Sequence, residues 1–427
     1  MAGEICTCSA NVVCEEGENR VILMIKGIIR SAKELWHNFD NSSNKMWVAW
    51  GAGKYGYIFL REVRAFNLQH VYIYDSKKNC PMKEQISINE ISENIDNISF
   101  IITAAQDKTI NEIADEISAL GGKTVYRYIP LDYEHVVKKL ENIGFYNGSS
   151  YQKTLKNPEA KKVMEQKISD ENPFLFARWG SVEGAVVFGD KVNMLTEEEI
   201  NGARDNAGFY PLDKDSIHKF AQIYIHAAQN IDILCAGCWF TQLESCYEWY
   251  SPEAVLVSSA LLYPFWERIS WTNALKGKNV LVIHPFAELI EKQYEKRKYL
   301  FLGSDILPQM NLKAYKAVQS IGGNTEFGSW FHALEKMETD ISGIEFDIAL
   351  IGCGAYGMPL GAFIKKKLGK KAIHMGGSLQ ILFGIKGKRW ESAEYDYQHK
   401  LYNESWVRPT GDLIPPNCNL VERGCYW

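Results

Sequence analysis

The stretch Phe346-Asp347-Ile348-Ala349-Leu350-Ile351-Gly352-Cys353-Gly354-Ala355-Tyr356-Gly357 decides the fold. An apolar run ends, glycines follow at the spacing GxGxxG, and Pro359 stands where a helix can begin. That order predicts a strand, a tight turn and a helix start, the geometry in which backbone N–H groups meet a phosphate at the positive end of a helix dipole. The same shape occurs earlier, where the apolar run 46 to 50 leads into Gly51-Ala52-Gly53-Lys54-Tyr55-Gly56. Two such turns predict an α/β protein built of two Rossmann-like units. The two turns differ at the end of the next strand. The strand after the first turn closes on Asp75, a carboxylate placed to read a ribose hydroxyl, whereas the strand after the second closes on His374-Met375-Gly376-Gly377. Candidate nucleotide contacts are therefore Gly51, Gly53, Gly56 and Asp75 in the first unit, and Gly352, Gly354, Gly357, His374, Gly376 and Gly377 in the second.

Working outward, a chain of 427 residues exceeds one ordinary domain. Its 46% hydrophobic and 23% charged residues are those of a globular protein, and a net charge of −5 sets nucleic acid aside as a bulk electrostatic partner. The N-terminal stretch carries Glu4, Glu15, Glu16 and Glu18 in place of a basic region with an apolar core, and no apolar run approaches a membrane span, so a cytoplasmic location is expected. The 10 cysteines are scattered. Cys235 and Cys353 lie in apolar strand runs, as buried reduced thiols do. Cys235 and Cys238 form a CxxC without a second pair at zinc spacing, and the cluster Cys6, Cys8, Cys14 has no histidine near it.

Periodicity then divides the chain. Residues 1 to 45 read as a tail followed by a helix over 21 to 39. Residues 46 to 150 read as a small Rossmann-like domain, with a helix at 55 to 66, strands at 71 to 74, 98 to 103 and 124 to 129, and a helix at 109 to 120. Residues 151 to 427 read as a second, mostly parallel sheet, with strands at 173 to 178, 231 to 236, 254 to 258, 280 to 283, 347 to 351 and 372 to 374. Helices are expected there at 214 to 228, 286 to 300, 329 to 341 and 359 to 368, and an irregular aromatic tail from 390.

Ligands of open α/β sheets bind at the C-terminal ends of strands, and three such ends carry reactive side chains. Arg178-Trp179-Gly180-Ser181-Val182-Glu183 places an arginine and a carboxylate around a glycine turn. The arginine suits phosphate oxygens, and the carboxylate suits a divalent cation or proton transfer. A local Arg–Glu ion pair accounts for the same pattern. His284, before Pro285, is either an acid–base group or a hydrogen-bonded residue closing its strand. Beyond His374 stand Lys388 and Arg389, which either meet a diphosphate or simply solvate a helix end.

The second block resembles the GT-D-type bacterial glycosyltransferases of surface-polysaccharide assembly. The GT-D likeness rests on Phe176-Ala177-Arg178-Trp179-Gly180-Ser181-Val182-Glu183 and on the strand, glycine turn, helix and strand of 346 to 377. The likeness to polysaccharide-assembly transferases rests on Lys276-Gly277-Lys278-Asn279-Val280 running to Pro285 and on Phe383-Gly384-Ile385-Lys386-Gly387-Lys388-Arg389-Trp390, and together they cover roughly residues 151 to 395. It implies a C-terminal sheet of GT-D type, a nucleotide-sugar donor, often a UDP-sugar, and a glycan or lipid-linked acceptor. Peripheral attachment to a membrane and homo-oligomers are compatible with it. It also implies a divalent metal, manganese or magnesium, near an Asp-x-Glu. Here Ser181 stands at the Asp position, leaving Glu183 as the metal ligand, and this departure puts the metal in question. Catalytic roles then fall to Glu183, His284 and Arg178. The first block resembles small nucleotide-binding domains that precede sugar-modifying enzymes. The competing functions are an NAD-dependent oxidoreductase or epimerase of nucleotide sugars and a non-catalytic nucleotide-binding partner.

Overall fold

The structure, a computed structural model, describes residues 25–29, 45–77, 83–104, 106–129, 154–236, 241–265, 270–302, 304–392 and 395–427. Cys6, Cys8, Cys14, Cys238 and most of the expected 21 to 39 helix lie outside them. The chain divides into two compact units, Met1–Tyr146 and Asn147–Trp427.

The first unit holds a five-stranded sheet of β1 (Ile25–Ile29), β2 (Met46–Trp50), β3 (Val71–Tyr74), β4 (Ile98–Ile102) and β5 (Val125–Tyr128), in the order β1-β5-β4-β2-β3. Every pairing in it is parallel. Parallel strands are covered on both faces, which is why β4 is buried at every position. The helical expectation for 21 to 39 is corrected at its described part, because Ile25, Ile28 and Ile29 fit helical spacing but lie in an edge strand. They pair with Val125, Arg127 and Tyr128 of β5, and Ile129 donates its N–H to the Ile29 carbonyl at 2.9 Å. β-Branched side chains suit that pleated edge, and the paired neighbour decides between two locally equal readings.

The second unit holds a seven-stranded sheet of β6 (Leu175–Arg178), β7 (Ile233–Cys235), β8 (Val255–Val257), β9 (Asn279–His284), β10 (Asn311–Lys316), β11 (Ile348–Ile351) and β12 (Lys371–His374). Its order is β10-β9-β11-β12-β6-β7-β8, again with parallel pairings throughout. β10 has no counterpart among the expected strands. It is an edge strand whose residues are all partly or fully exposed, so it lacks the apolar run that marks the others. The helix expected over 286 to 300 breaks at Lys296 into Ala287–Glu295 and Arg297–Leu300.

Register aligns the strand ends. Ile351 lies opposite both Ile283 and His374, and Ile373 lies opposite Phe176. The four contiguous strands β9-β11-β12-β6 therefore finish level, at one edge of the sheet. Their runs build a core of Phe176, Val282, Leu350 and Ile373, all buried. The tail joins this core through Trp390, Trp406, Val421, Cys425 and Trp427. Its C-terminal end is tied to the 3₁₀ turn Lys388–Glu391 by the Arg389 N–H, which donates to the Cys425 carbonyl at 2.9 Å.

Candidate functional site

The level ends of β6, β9, β11 and β12 open onto a cavity of about 180 Å³. Arg178, Glu183, His284, Gly352, Gly354, His374, Gly376, Gly377 and Arg389 all line it. Gly357 stands behind the wall, and Lys388 lies outside the lining with its ammonium 3.3 Å from the Arg423 carbonyl. Gly51, Gly53 and Asp75 line a separate cavity of about 390 Å³ within the first unit.

Arg178 closes β6, and Gly180 caps the helix Ser181–Lys191. A Cβ at Gly180 would fall 1.7 Å from Glu183 Oε2, so the glycine is what lets that carboxylate fold back over the turn. Glu183 sits in the first helical turn, where the dipole favours negative charge. Desolvation nonetheless raises its pKa, and Glu422 raises it further, while its own backbone N–H and Arg178 oppose them.

His284 closes β9 and is 4% exposed. Its Nδ1 accepts the Phe286 N–H at 3.0 Å, which leaves the hydrogen on Nε2. Burial pushes its pKa down to about 3, so the ring is a neutral hydrogen-bond donor near pH 7. After β11 the chain passes Gly352 and Cys353, makes a 3₁₀ turn over Gly354–Tyr356, and enters the helix Gly357–Lys366. A Cβ on Gly357 would lie 2.4 Å from His374 Nε2, so this glycine serves contact with the end of β12. His374 is likewise neutral, its pKa lowered to about 3 by burial and then by Arg178. Burial raises the Cys353 thiol and keeps it protonated.

The tail supplies the remaining wall. Arg389 holds Glu422 Oε2 within hydrogen-bond reach and lies 4.8 Å over the Tyr426 ring. Glu422, Tyr426, Gln380 and Asn206 also line the cavity. Reading the sequence missed them, since no local motif marks them; the density of tryptophan and tyrosine after 390 signals a packed tail but not which polar groups it delivers.

A divalent cation would need several hard oxygen ligands. Among the described residues, no group of three or more His, Cys, Asp or Glu is placed to hold a metal ion. Glu183 is pressed against Gly180, Ser181 replaces the second carboxylate, Glu422 is engaged by Arg389, and Asp205 is paired with Arg204 at 2.8 Å. This donor set does not fit a hard divalent cation.

In the first unit the Asp75 carboxylate accepts the Ala52 N–H at 2.6 Å and the Lys77 N–H at 2.8 Å. Glu112 and Glu116 share that cavity, and Lys77 Nζ is held by Glu112 at 2.6 Å.

Among solved structures, a glycosyltransferase of domain of unknown function 1792 from Streptococcus sanguinis is similar at 10% identity and a TM-score of 0.34, over 61% of this chain and 95% of that one. Another, described as the highly conserved domain of unknown function 1792 with a distinct glycosyltransferase fold, is similar at 13% identity and a TM-score of 0.29, over 59% and 96% of the two chains. At these values the likeness carries nothing beyond itself. No curated protein matches the chain. The family model of the GT-D fold-like domain matches residues 155–382, more than half of the 427 residues. That span contains β6 to β12 and the turns that carry Arg178, Glu183, His284, Gly352 and His374, and the chain therefore belongs to the GT-D-like family.

Proposed function

We propose that the second unit is a glycosyltransferase that moves a sugar from a nucleoside diphosphate, UDP in the first instance, to a hydroxyl of a glycan or lipid-linked acceptor. The observation that carries this is the convergence, at four level strand ends, of Arg178, Arg389, a glycine turn at a helix start and a carboxylate around one cavity. Transfer forms a bond from the acceptor oxygen to the anomeric carbon and breaks the bond from that carbon to the diphosphate. Negative charge then grows on the leaving diphosphate. Arg178 and Arg389 are the cations placed to meet it, and the Nε2–H of His284 adds an uncharged donor. The acceptor's proton needs a base, and Glu183 is the carboxylate in reach of the same space, its basicity raised by burial. No step in this scheme passes through a metal ion.

A cytoplasmic setting, attachment at a membrane surface and association between copies belong to the same proposal. Among the described residues, no helix is long and apolar enough to cross a membrane. The NAD-dependent alternative has less support, because the carboxylates around Asp75 would face the phosphates of a dinucleotide.

Calorimetric titration with UDP, UDP-hexoses and NAD, with and without EDTA, tests the reading. Binding of UDP that survives EDTA is expected. Binding of NAD in place of UDP, or UDP binding that vanishes with EDTA, would overturn the donor assignment or its metal-free form respectively.

A further inference from the structure

Three residues in the cavity wall carry a buried polar atom that has no hydrogen-bond partner among the described residues: Oε1 of Gln380, Nδ1 of His374 and Oδ1 of Asn206. Gln380 is 1% exposed and His374 4%. Buried polar groups are rarely left this way, since each one unpaired carries its full desolvation penalty. Here three belong to residues that line one cavity.

The chemistry of the missing partner can be read from the amide of Gln380. Its Nε2 donates to the carbonyls of Tyr426 at 3.1 Å, Lys386 at 3.3 Å and Ile385 at 3.4 Å. A flipped amide would turn its oxygen on those carbonyls, so the orientation is set and Oε1 is left as the unpartnered end. An amide oxygen only accepts. Ionised phosphates also only accept, so the diphosphate that suits Arg178 and Arg389 leaves Gln380 and Asn206 unanswered. Hydroxyl groups donate and accept, and a sugar ring carries several. The neutral imidazole of His374 can exchange a hydrogen bond with a hydroxyl in either sense.

We propose that Gln380 and Asn206, with His374, form the subsite that reads the hydroxyl groups of the transferred sugar. This rests on the nucleotide-sugar reading of the cavity and adds to it the residues that choose the sugar. A hydroxyl that answers a buried acceptor is discriminated sharply, because the analogue lacking it leaves the acceptor unpaired.

The test is calorimetric titration of the full chain with UDP, UDP-glucose, UDP-galactose and UDP-N-acetylglucosamine, then with deoxy analogues of the tightest binder. It is run on the wild type, Asn206→Ala and Gln380→Met. Wild type should bind one UDP-hexose more tightly than UDP and lose about tenfold or more with one of its deoxy analogues. Each variant should erase a preference for a particular hydroxyl, so that parent and deoxy analogue bind alike, while affinity for UDP itself is kept. Loosening of the tail in Gln380→Met would weaken UDP and UDP-hexose together without touching the deoxy preference, and Asn206→Ala, at a partly exposed position, separates that case. If the wild type binds UDP-hexoses no better than UDP, or the variants keep every hydroxyl preference, the sugar subsite is wrong and the donor assignment stands. If the wild type binds neither UDP nor any UDP-hexose, the donor assignment itself fails and takes the subsite with it.

Discussion

Around residues 51 to 56 the glycine turn is walled by Asp75, Glu112 and Glu116 with Lys77, whereas around residues 352 to 357 the carboxylates Glu183 and Glu422 are matched by two arginines, Arg178 and Arg389. The glycine spacing is the same in both. In the first, an N–H that a phosphate would use already points at the Asp75 carboxylate, and the nearby lysine is held by Glu112. In the second, arginines and uncharged histidines surround the turn. The last glycine of each motif does a similar job: a Cβ at Gly56 would lie 2.0 Å from the Gly51 carbonyl oxygen, and one at Gly357 2.4 Å from His374 Nε2. The motif therefore reports close packing of strand, turn and helix. The charge on the walls separates the ligands.

The contrast breaks most visibly at Glu183. Glu183→Gln should lower transfer by about 100-fold or more. Its folded pKa is raised, so ionisation works against the fold as pH rises through that value, and the variant's melting temperature at pH 8 should hold or increase. Near-normal turnover would remove the carboxylate from the chemistry and weaken the case for the second cavity as the catalytic one.

Next comes Arg178→Ala, which should loosen UDP by roughly 10- to 100-fold, the worth of a hydrogen bond to a charged group. Gly53→Ala should leave UDP binding unchanged, since nothing lies within 4 Å of the added methyl and the φ of −77° suits alanine. The opposite ranking in calorimetry would move the donor to the first unit.

Packing gives a smaller effect. Gly56→Ala and Gly357→Ala should each cost about 1–3 kcal/mol, as overfilled contacts do. Scanning calorimetry should show the first variant lowering one transition and the second another. A shift of the same transition by both would deny that the two turns belong to separately cooperative units.

Acid should sharpen the contrast as well. His284 and His374, beside the second turn, are held neutral with pKa values near 3, so the unfolded chain binds more protons below its ordinary value of 6.5. Stability of that unit should fall as pH drops below 6.5, by up to about 1.4 kcal/mol per pH unit for each histidine, offset in part by protonation of Glu183. Between pH 6.5 and 5 the transition moved by Gly357→Ala should drop further than the one moved by Gly56→Ala. Equal loss in both would mean these rings are not the buried neutral pair described.

Much of this was legible in the residues. Runs such as 347 to 351 mark buried parallel strands because both faces need apolar side chains, and strand ends then name Arg178, His284 and His374 without knowledge of the sheet order. The ends of β6 and β12 meet only through pairing, which no local pattern records. β10 escaped because an edge strand keeps its polar residues, and β1 because isoleucines at 25, 28 and 29 satisfy two periods at once. Glu422 and Tyr426 escaped for a third reason: their place is set by the anchoring of Trp406 and Trp427 in the core, a long-range consequence of packing.

That anchoring has a consequence for biosynthesis. The cavity's walls begin at Arg178 and are finished by Glu422 and Tyr426, so a ribosome must translate through all of the strands from β6 to β12 before the pocket can exist. A nascent chain stalled after β12 would hold the glycine turn and Arg178 but lack Arg389, and its core would be missing the tail's tryptophans. Competence to bind therefore waits until residues 389 to 426 have been made, and the folding step that closes the pocket joins parts of the chain far apart in sequence, the slow kind of contact.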